Sequence, residues 1–221
     1  MELIVTDVTE MSADTLCLAG WDSKQRRMVR PLPGGHHWPR TLVAQLGIAP
    51  GQSIDCELLG TRTTGTYPHR SEDTPVDTGS IRNLSKSEIS WFGDDAPPTV
   101  DTLQAAFEGH VQHTRIWNGA RKGVFVTEGT ITPSLNAVRV PSRQFSFTVD
   151  GKLRAVLQDG DARYDLPVVS HLLLEKYRER GLGILNGMLS GVGDLHVRVG
   201  LARPWEEQPS HCYAMINGVF W

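Results

Sequence analysis

The sequence lacks the features that would place it in a membrane, in a disulfide scaffold or in a familiar catalytic class. No stretch of its 221 residues approaches the ~20 consecutive apolar residues that span a bilayer. The opening MELIVTDVTE carries acids where a signal peptide carries positive charge, so a cytoplasmic protein without membrane attachment is expected. Cysteine is scarce. Cys17, Cys56 and Cys212 are far apart, odd in number and without a CxxC, which argues against a zinc ribbon or redox pair. Each lies in an apolar, strand-like context, so buried and inert thiols are expected. GxSxG, a P-loop, HExxH and a GxGxxG ahead of a helix are all missing. A non-catalytic protein without cofactor or metal is the expectation. An excess of charge of either sign is also lacking, with a net of −3 and a pI near 6.2.

That small net charge conceals a pattern. Residues 24–70 carry Lys24, Arg26, Arg27, Arg30, Arg40, Arg62 and Arg70 against only Asp55 and Glu57. Residues 111–154 carry Arg115, Arg121, Lys122, Arg139, Arg143, Lys152 and Arg154 against Glu128 and Asp150. The rest of the chain is correspondingly acidic. Arginine, which outnumbers lysine 17 to 5, is the better donor for planar contacts to phosphates and base edges. Glycine (22) and proline (13) make up about 16% of the chain, against ~12% on average. That excess favours many short elements joined by turns.

The element reading is mainly β. Residues 3–8, 15–22, 27–33 and 53–60 read as strands, with 15–32 a hairpin and 53–60 alternating Ile54, Cys56 and Leu58 against Asp55 and Glu57. A long polar segment without periodicity follows. Helix is expected weakly over 80–92 and more clearly over 101–112, where Leu103, Phe107 and Val111 recur at i, i+4. The proline pair in 94–99 marks the best linker. Residues 123–129 and 135–140 read as strands. Residues 145–158 form a hairpin with Asp150-Gly151 at the centre of a two-residue turn. A helix over 167–181 and strands over 194–201 and 212–221 complete the chain. Two consecutive small barrels are expected: 1–93, a helical connector 94–122, and 123–221 with its own helix.

Three clusters carry candidate chemistry. In 34–41, His36, His37 and Arg40 supply donors and Trp38 a stacking face; the alternative is a turn whose Trp38 packs on the barrel end. In 110–123, Arg115, Trp117, Arg121 and Lys122 suggest a basic helix end and loop touching phosphate. His110 and His113 could ligate a metal, but no third ligand stands at motif spacing. In 67–73, His69 and Arg70 lie beside Glu72 and Asp73, a mixture suited to acid–base work but without a partner nucleophile. With Arg30, Arg139 and Arg143 from the basic segments, these residues form the candidate surface for nucleic acid. A nucleotide or small-ligand sensor and a protein-interaction subunit remain open alternatives.

Four stretches carry a resemblance to a known family: CLAGWDSKQRRMVRP, YPHRSED, FSFTVDGKLRAVLQD, and DLHVRVGLARPW followed by HCYAMINGVFW. Together they resemble the dual OB-containing domain family, which is associated with prokaryotic conflict systems. Residues 80–122 do not align with it. The resemblance implies two OB-like barrels. It also implies a nucleic-acid or nucleotide sensing role in antiviral defence, working with an effector protein partner.

Overall fold

A computed structural model describes residues 1–60, 66–84, 90–130 and 133–221. The chain is mainly β and divides into two compact units, Met1–Pro97 and Pro98–Trp221, each built on a curled sheet that forms a half-barrel.

In the first unit, β1 (Glu2–Glu10), β2 (Thr15–Asp22) and β3 (Arg27–Pro33) form an antiparallel meander, joined by the short β4 (Trp38–Pro39) on β2. A helix, α1 (Arg40–Leu46), follows where the sequence suggested only a turn. Its end is written locally. Gly47 adopts φ 60° and donates to the Ala44 carbonyl, and Ile48 donates to that of Val43. Strand β5 (Ser53–Asp55) pairs with β1, β6 (Asp73–Val76) runs parallel to β3, and β7 (Arg82–Asn83) pairs with β5. The expected strand over 53–60 is thus only three residues long. The helix expected over 80–92 is replaced at its start by β7, and 85–89 lie outside the described residues. Inward residues such as Leu3, Val5, Leu18, Val29 and Ile54 close a core around Trp38.

In the second unit, α2 (Leu103–Ala106) is a single turn rather than the expected longer helix. Phe107 leaves helical geometry, and Glu108 and Gly109 take φ 53° and 81°. The Gln104 side chain then bonds both the N–H and the carbonyl of Val111. The chain emerges as β8 (Gln112–Trp117), so 94–122 is only marginally helical. An eight-stranded sheet follows: β8 on β9 (Ala120–Thr127), with β10 (Leu135–Pro141), β11 (Phe145–Asp150), β12 (Lys152–Asp159), β13 (Ala162–Pro167), β14 (Asp194–Leu201) and β15 (His211–Phe220). The order is β10-β14-β15-β9-β13-β12-β11. The β11–β12 hairpin is present, but its register pairs Asp150 with Lys152 and so centres on Gly151. That differs by half a step from the two-residue turn. Helix α3 (His171–Gly187) starts at the Ser170 cap and is broken at Gly181, with φ 74° and ψ 175°. The expected stop is there, and helix resumes beyond it.

Cys56 and Cys212 are fully buried, and burial pushes their thiols up from 9.0 to about 11 and about 12. A raised folded-state value favours the neutral thiol. Its stabilising contribution is complete below pH 9 and is lost as pH rises through 11 to 12. Iodoacetamide at pH 8 should therefore label the partly exposed Cys17 first. Mass spectrometry should find Cys56 and Cys212 unmodified until the protein unfolds.

Candidate functional site

The outer face of the second sheet carries the site. Along β12, Leu153, Ala155 and Leu157 are buried while Lys152, Arg154, Val156 and Gln158 alternate outward. The half-step register of the hairpin sets Asp150 opposite Lys152 and Thr148 opposite Arg154. The β8–β9 hairpin approaches from the side. Its own two strands close on each other because Gly123 (φ 59°) has no Cβ; one built there would lie 2.2 Å from Thr114 Oγ1.

These elements, with the 202–215 segment, enclose a cleft of about 550 Å3. Its lining holds five cationic side chains, Arg115, Lys122, Lys152, Arg154 and Arg203, against one carboxylate, Asp150. Pro167, Ala202, Ala214 and Met215 supply apolar wall. Trp205 is 57% exposed and meets Tyr213 edge-on, with ring centroids 6.3 Å apart. Behind Tyr213, His211 stacks on Phe125 at 3.8 Å. The aromatic edge is thus held by a ring series rooted in the sheet.

The cationic floor is organised by Asp165. Lys122 Nζ donates to Asp150 Oδ2 at 2.7 Å and lies 3.1 Å from Asp165 Oδ2. Arg154 Nε donates to Asp165 Oδ1, and its Nη2 donates to the Asp165 carbonyl at 2.9 Å. The hydrogen bonds that the Lys122 ammonium donates to Asp150 and Asp165 hold it above its usual range. The Lys122 ammonium in turn holds the Asp150 carboxyl below its own. Arg115 and Lys152 are exposed, and their side chains donate no hydrogen bond to protein among the described residues. Such a lining can chemically accommodate an anion with an apolar or aromatic portion. A second hollow adjoins the cleft across Lys122 and Asp150 and is lined by Trp117, Thr148, Val156 and Arg163.

The sequence profile of the dual OB-containing domain family matches residues 1–219. The chain belongs to that family. Its two curled sheets are accordingly two OB-like folds, and in OB-folds one strand face and its flanking loops form the ligand surface. No curated protein matches this dual OB chain.

Of the site residues expected from sequence, the structure brings Arg115 and Lys122 into the cleft and Trp117 (58% exposed) into the adjoining hollow. Arg143 lines a separate hollow with Phe145, Ser146 and Arg163. Several others have different work. Trp38 is fully buried and its Nε1 donates to the Pro31 carbonyl at 2.7 Å; its ring faces the core and offers no stacking surface. Arg30 is 2% exposed because the parallel β3–β6 register sets it against Asp73. Its Nη1 donates to Asp73 Oδ1 at 2.7 Å, and Nε and Nη2 to Cys17 Sγ at 3.3 and 3.1 Å. His69 is buried beside Glu72 and Asp73, removed from any ligand in solution.

Arg121 lies over the Tyr164 ring at 5.3 Å and donates to its hydroxyl, which ties it to the sheet. Arg139 is ion-paired with Asp194 at 2.6 Å. Arg40 bonds the Ala13 carbonyl and pairs with Glu10 at 3.5 Å. His36 and Arg70 are exposed and His37 half-buried, all three in the first unit. His110 is in a turn and His113 on β8, not on one helix face. Among the described residues no group of three or more His, Cys, Asp or Glu could hold a metal ion, and no helix is long and apolar enough to cross a membrane.

Sequence reasoning missed Arg203, Trp205 and Tyr213, and it counted Lys152 and Arg154 only as charges of a basic segment rather than as site residues. The available signal was LARPWEEQPSHCY, where Arg-Pro-Trp leads a polar loop between two apolar strands.

Proposed function

We propose that this dual OB chain binds nucleic acid through the cleft of its second unit. The observation that carries the reading is the composition of that cleft: five cationic side chains around one carboxylate, edged by an exposed tryptophan. Phosphates meet Arg115, Lys152 and Arg203, and a base stacks on Trp205, a contact worth ~1–3 kcal/mol and tolerant of sequence. The acidic remainder of the chain repels the same backbone, so binding is modest and salt-sensitive. A non-catalytic sensing role in a prokaryotic defence system, with an effector partner supplying any chemistry, is part of the same proposal and rests on family membership.

A second reading is favoured by the volume. About 550 Å3 falls within the ~300–1,000 Å3 typical of small-ligand pockets, so a mononucleotide would also fit. Fluorescence anisotropy of a labelled 12-nucleotide thymidine strand at ~50 mM salt tests both readings. The nucleic-acid reading expects saturable binding that weakens as salt rises and that thymidine monophosphate displaces only poorly. Displacement by the mononucleotide at matched concentration favours the second reading, and no binding of either sinks both.

A further inference from the structure

We infer that Asp150 occupies on Lys122 the place of a ligand phosphate, and that ligand binding exchanges the carboxylate for that phosphate. This rests on the reading of the cleft as an anion-binding surface. Asp150 is the only carboxylate among the described residues lining the cleft, and the Lys122–Asp150 pair also lines the adjoining hollow. The pair therefore stands where the two spaces meet. Asp150 is well placed to leave: its side chain is 65% exposed, and it precedes Gly151 at the tip of the hairpin.

Lys122 is well placed to stay. Its side chain is only 12% exposed, and Asp165, itself fixed by Arg154, holds the ammonium from the buried side. When Asp150 swings out, the ammonium remains aimed at the cleft with one donor direction vacated. A phosphodiester oxygen can take that direction, with Arg115 and Lys152 close by on the same lining. No bond is made or broken; one anion replaces another. Asp150 thus sets the affinity threshold of the site, because each phosphate must compete with a carboxylate already in place. Ligands offering a single weak anion lose that competition, whereas a strand that also stacks on Trp205 and reaches Arg115 wins it.

The test compares Asp150→Asn with the unaltered protein, using the labelled thymidine 12-mer. An exposed ion pair is worth ~0.2–1 kcal/mol, so removing the competitor should tighten binding by roughly 1.4- to fivefold. The same phosphate meets Lys122 in both proteins, so the gain should be largest at low salt, where the competing ion pair is least screened.

Two controls separate exchange from a general loss of negative charge. Asp161→Asn removes an exposed carboxylate from the β12–β13 turn, at the far end of β12 from Lys152. At ~100 mM salt the screening length is ~10 Å, so this change should leave affinity unaltered. In a Lys122→Met background, verified as folded by circular dichroism, Asp150→Asn should give no gain. Equal or weaker binding by Asp150→Asn, an equal gain from Asp161→Asn, or a gain that survives Lys122→Met would each overturn the inference while leaving the cleft as the binding site. Absence of binding by both the unaltered protein and Asp150→Asn would overturn the reading of the cleft itself and this inference with it.

Discussion

Replacing Arg30 by methionine should cost the first unit about 3–5 kcal/mol, the usual penalty for removing one member of a buried ion pair. Arg30 and Asp73 are both 3% exposed at the side chain and 2.7 Å apart. The loss arises less from the attraction itself than from what remains. Asp73 stays in the interior without the guanidinium that faced it, and Cys17 Sγ loses two donors. Urea denaturation monitored by tryptophan fluorescence would measure the change. The paired substitution Arg30→Met with Asp73→Leu should recover most of it, because apolar groups of similar size often replace a buried pair at little cost. A loss below ~1 kcal/mol, the value of a surface pair, would show that water reaches the bridge. The experiment also separates structural arginines from ligand-binding ones, since Arg30 looked like a phosphate contact in the sequence.

The second large effect is expected at Trp205. Its replacement by alanine should weaken binding of a single strand by ~1–3 kcal/mol, which is roughly five- to 150-fold. Stacking releases no counterions, so the salt dependence should keep its slope. Arg115→Ala and Lys152→Ala should do the reverse. Each should lower the slope by ~0.7 and weaken binding most at low salt. Anisotropy titrations from ~50 to ~200 mM salt read both quantities together. If Trp205→Ala changed the slope and Arg115→Ala did not, the assignment of stacking and phosphate contacts would be reversed or wrong. Trp38→Ala is a useful contrast, because that ring packs in the core and donates to Pro31. Its cost should appear in stability, with binding altered only to the extent that the first unit unfolds.

The sequence was most informative where one period dominates. The alternation of Leu153, Ala155 and Leu157 against Lys152, Arg154 and Val156 made β12 legible, and the Asp-Gly pair located its turn. The register was not legible. Whether the turn centres on the Asp150–Gly151 bond or on Gly151 depends on half a residue step, and that step decides which side chains face Lys152. Helix α1 was hidden because 40–46 is short and directly follows Pro39, although Gly47 marked its end. The helix expected from Leu103, Phe107 and Val111 failed because the same apolar spacing serves a one-turn helix followed by a strand. Glu108 and Gly109, both with positive φ, determined the outcome.

The candidate site was half legible for a similar reason. Arg115, Trp117 and Lys122 are local to one hairpin and could be grouped by their nearness in sequence. Arg203, Trp205 and Tyr213 reach the same cleft only through the pairing of β15 with β9, a long-range contact that composition does not encode. Charge counting also treated all arginines alike. Arg30 and Arg139 are neutralised by partners distant in sequence, Asp73 and Asp194. Only the folded register distinguishes these from the exposed cations at Arg115 and Lys152.

Photocross-linking tests the central claim most directly. A thymidine 12-mer bearing 4-thiothymidine at single positions would be irradiated with the full chain at ~50 mM salt, and the adducts mapped by peptide mass spectrometry. The account predicts adducts concentrated in peptides carrying Trp205 and Tyr213, with further adducts in those carrying Arg115 and Lys152, all diminished at ~200 mM salt in keeping with phosphate contacts. Adducts confined to residues 1–97, or spread evenly along the chain and indifferent to salt, would contradict it.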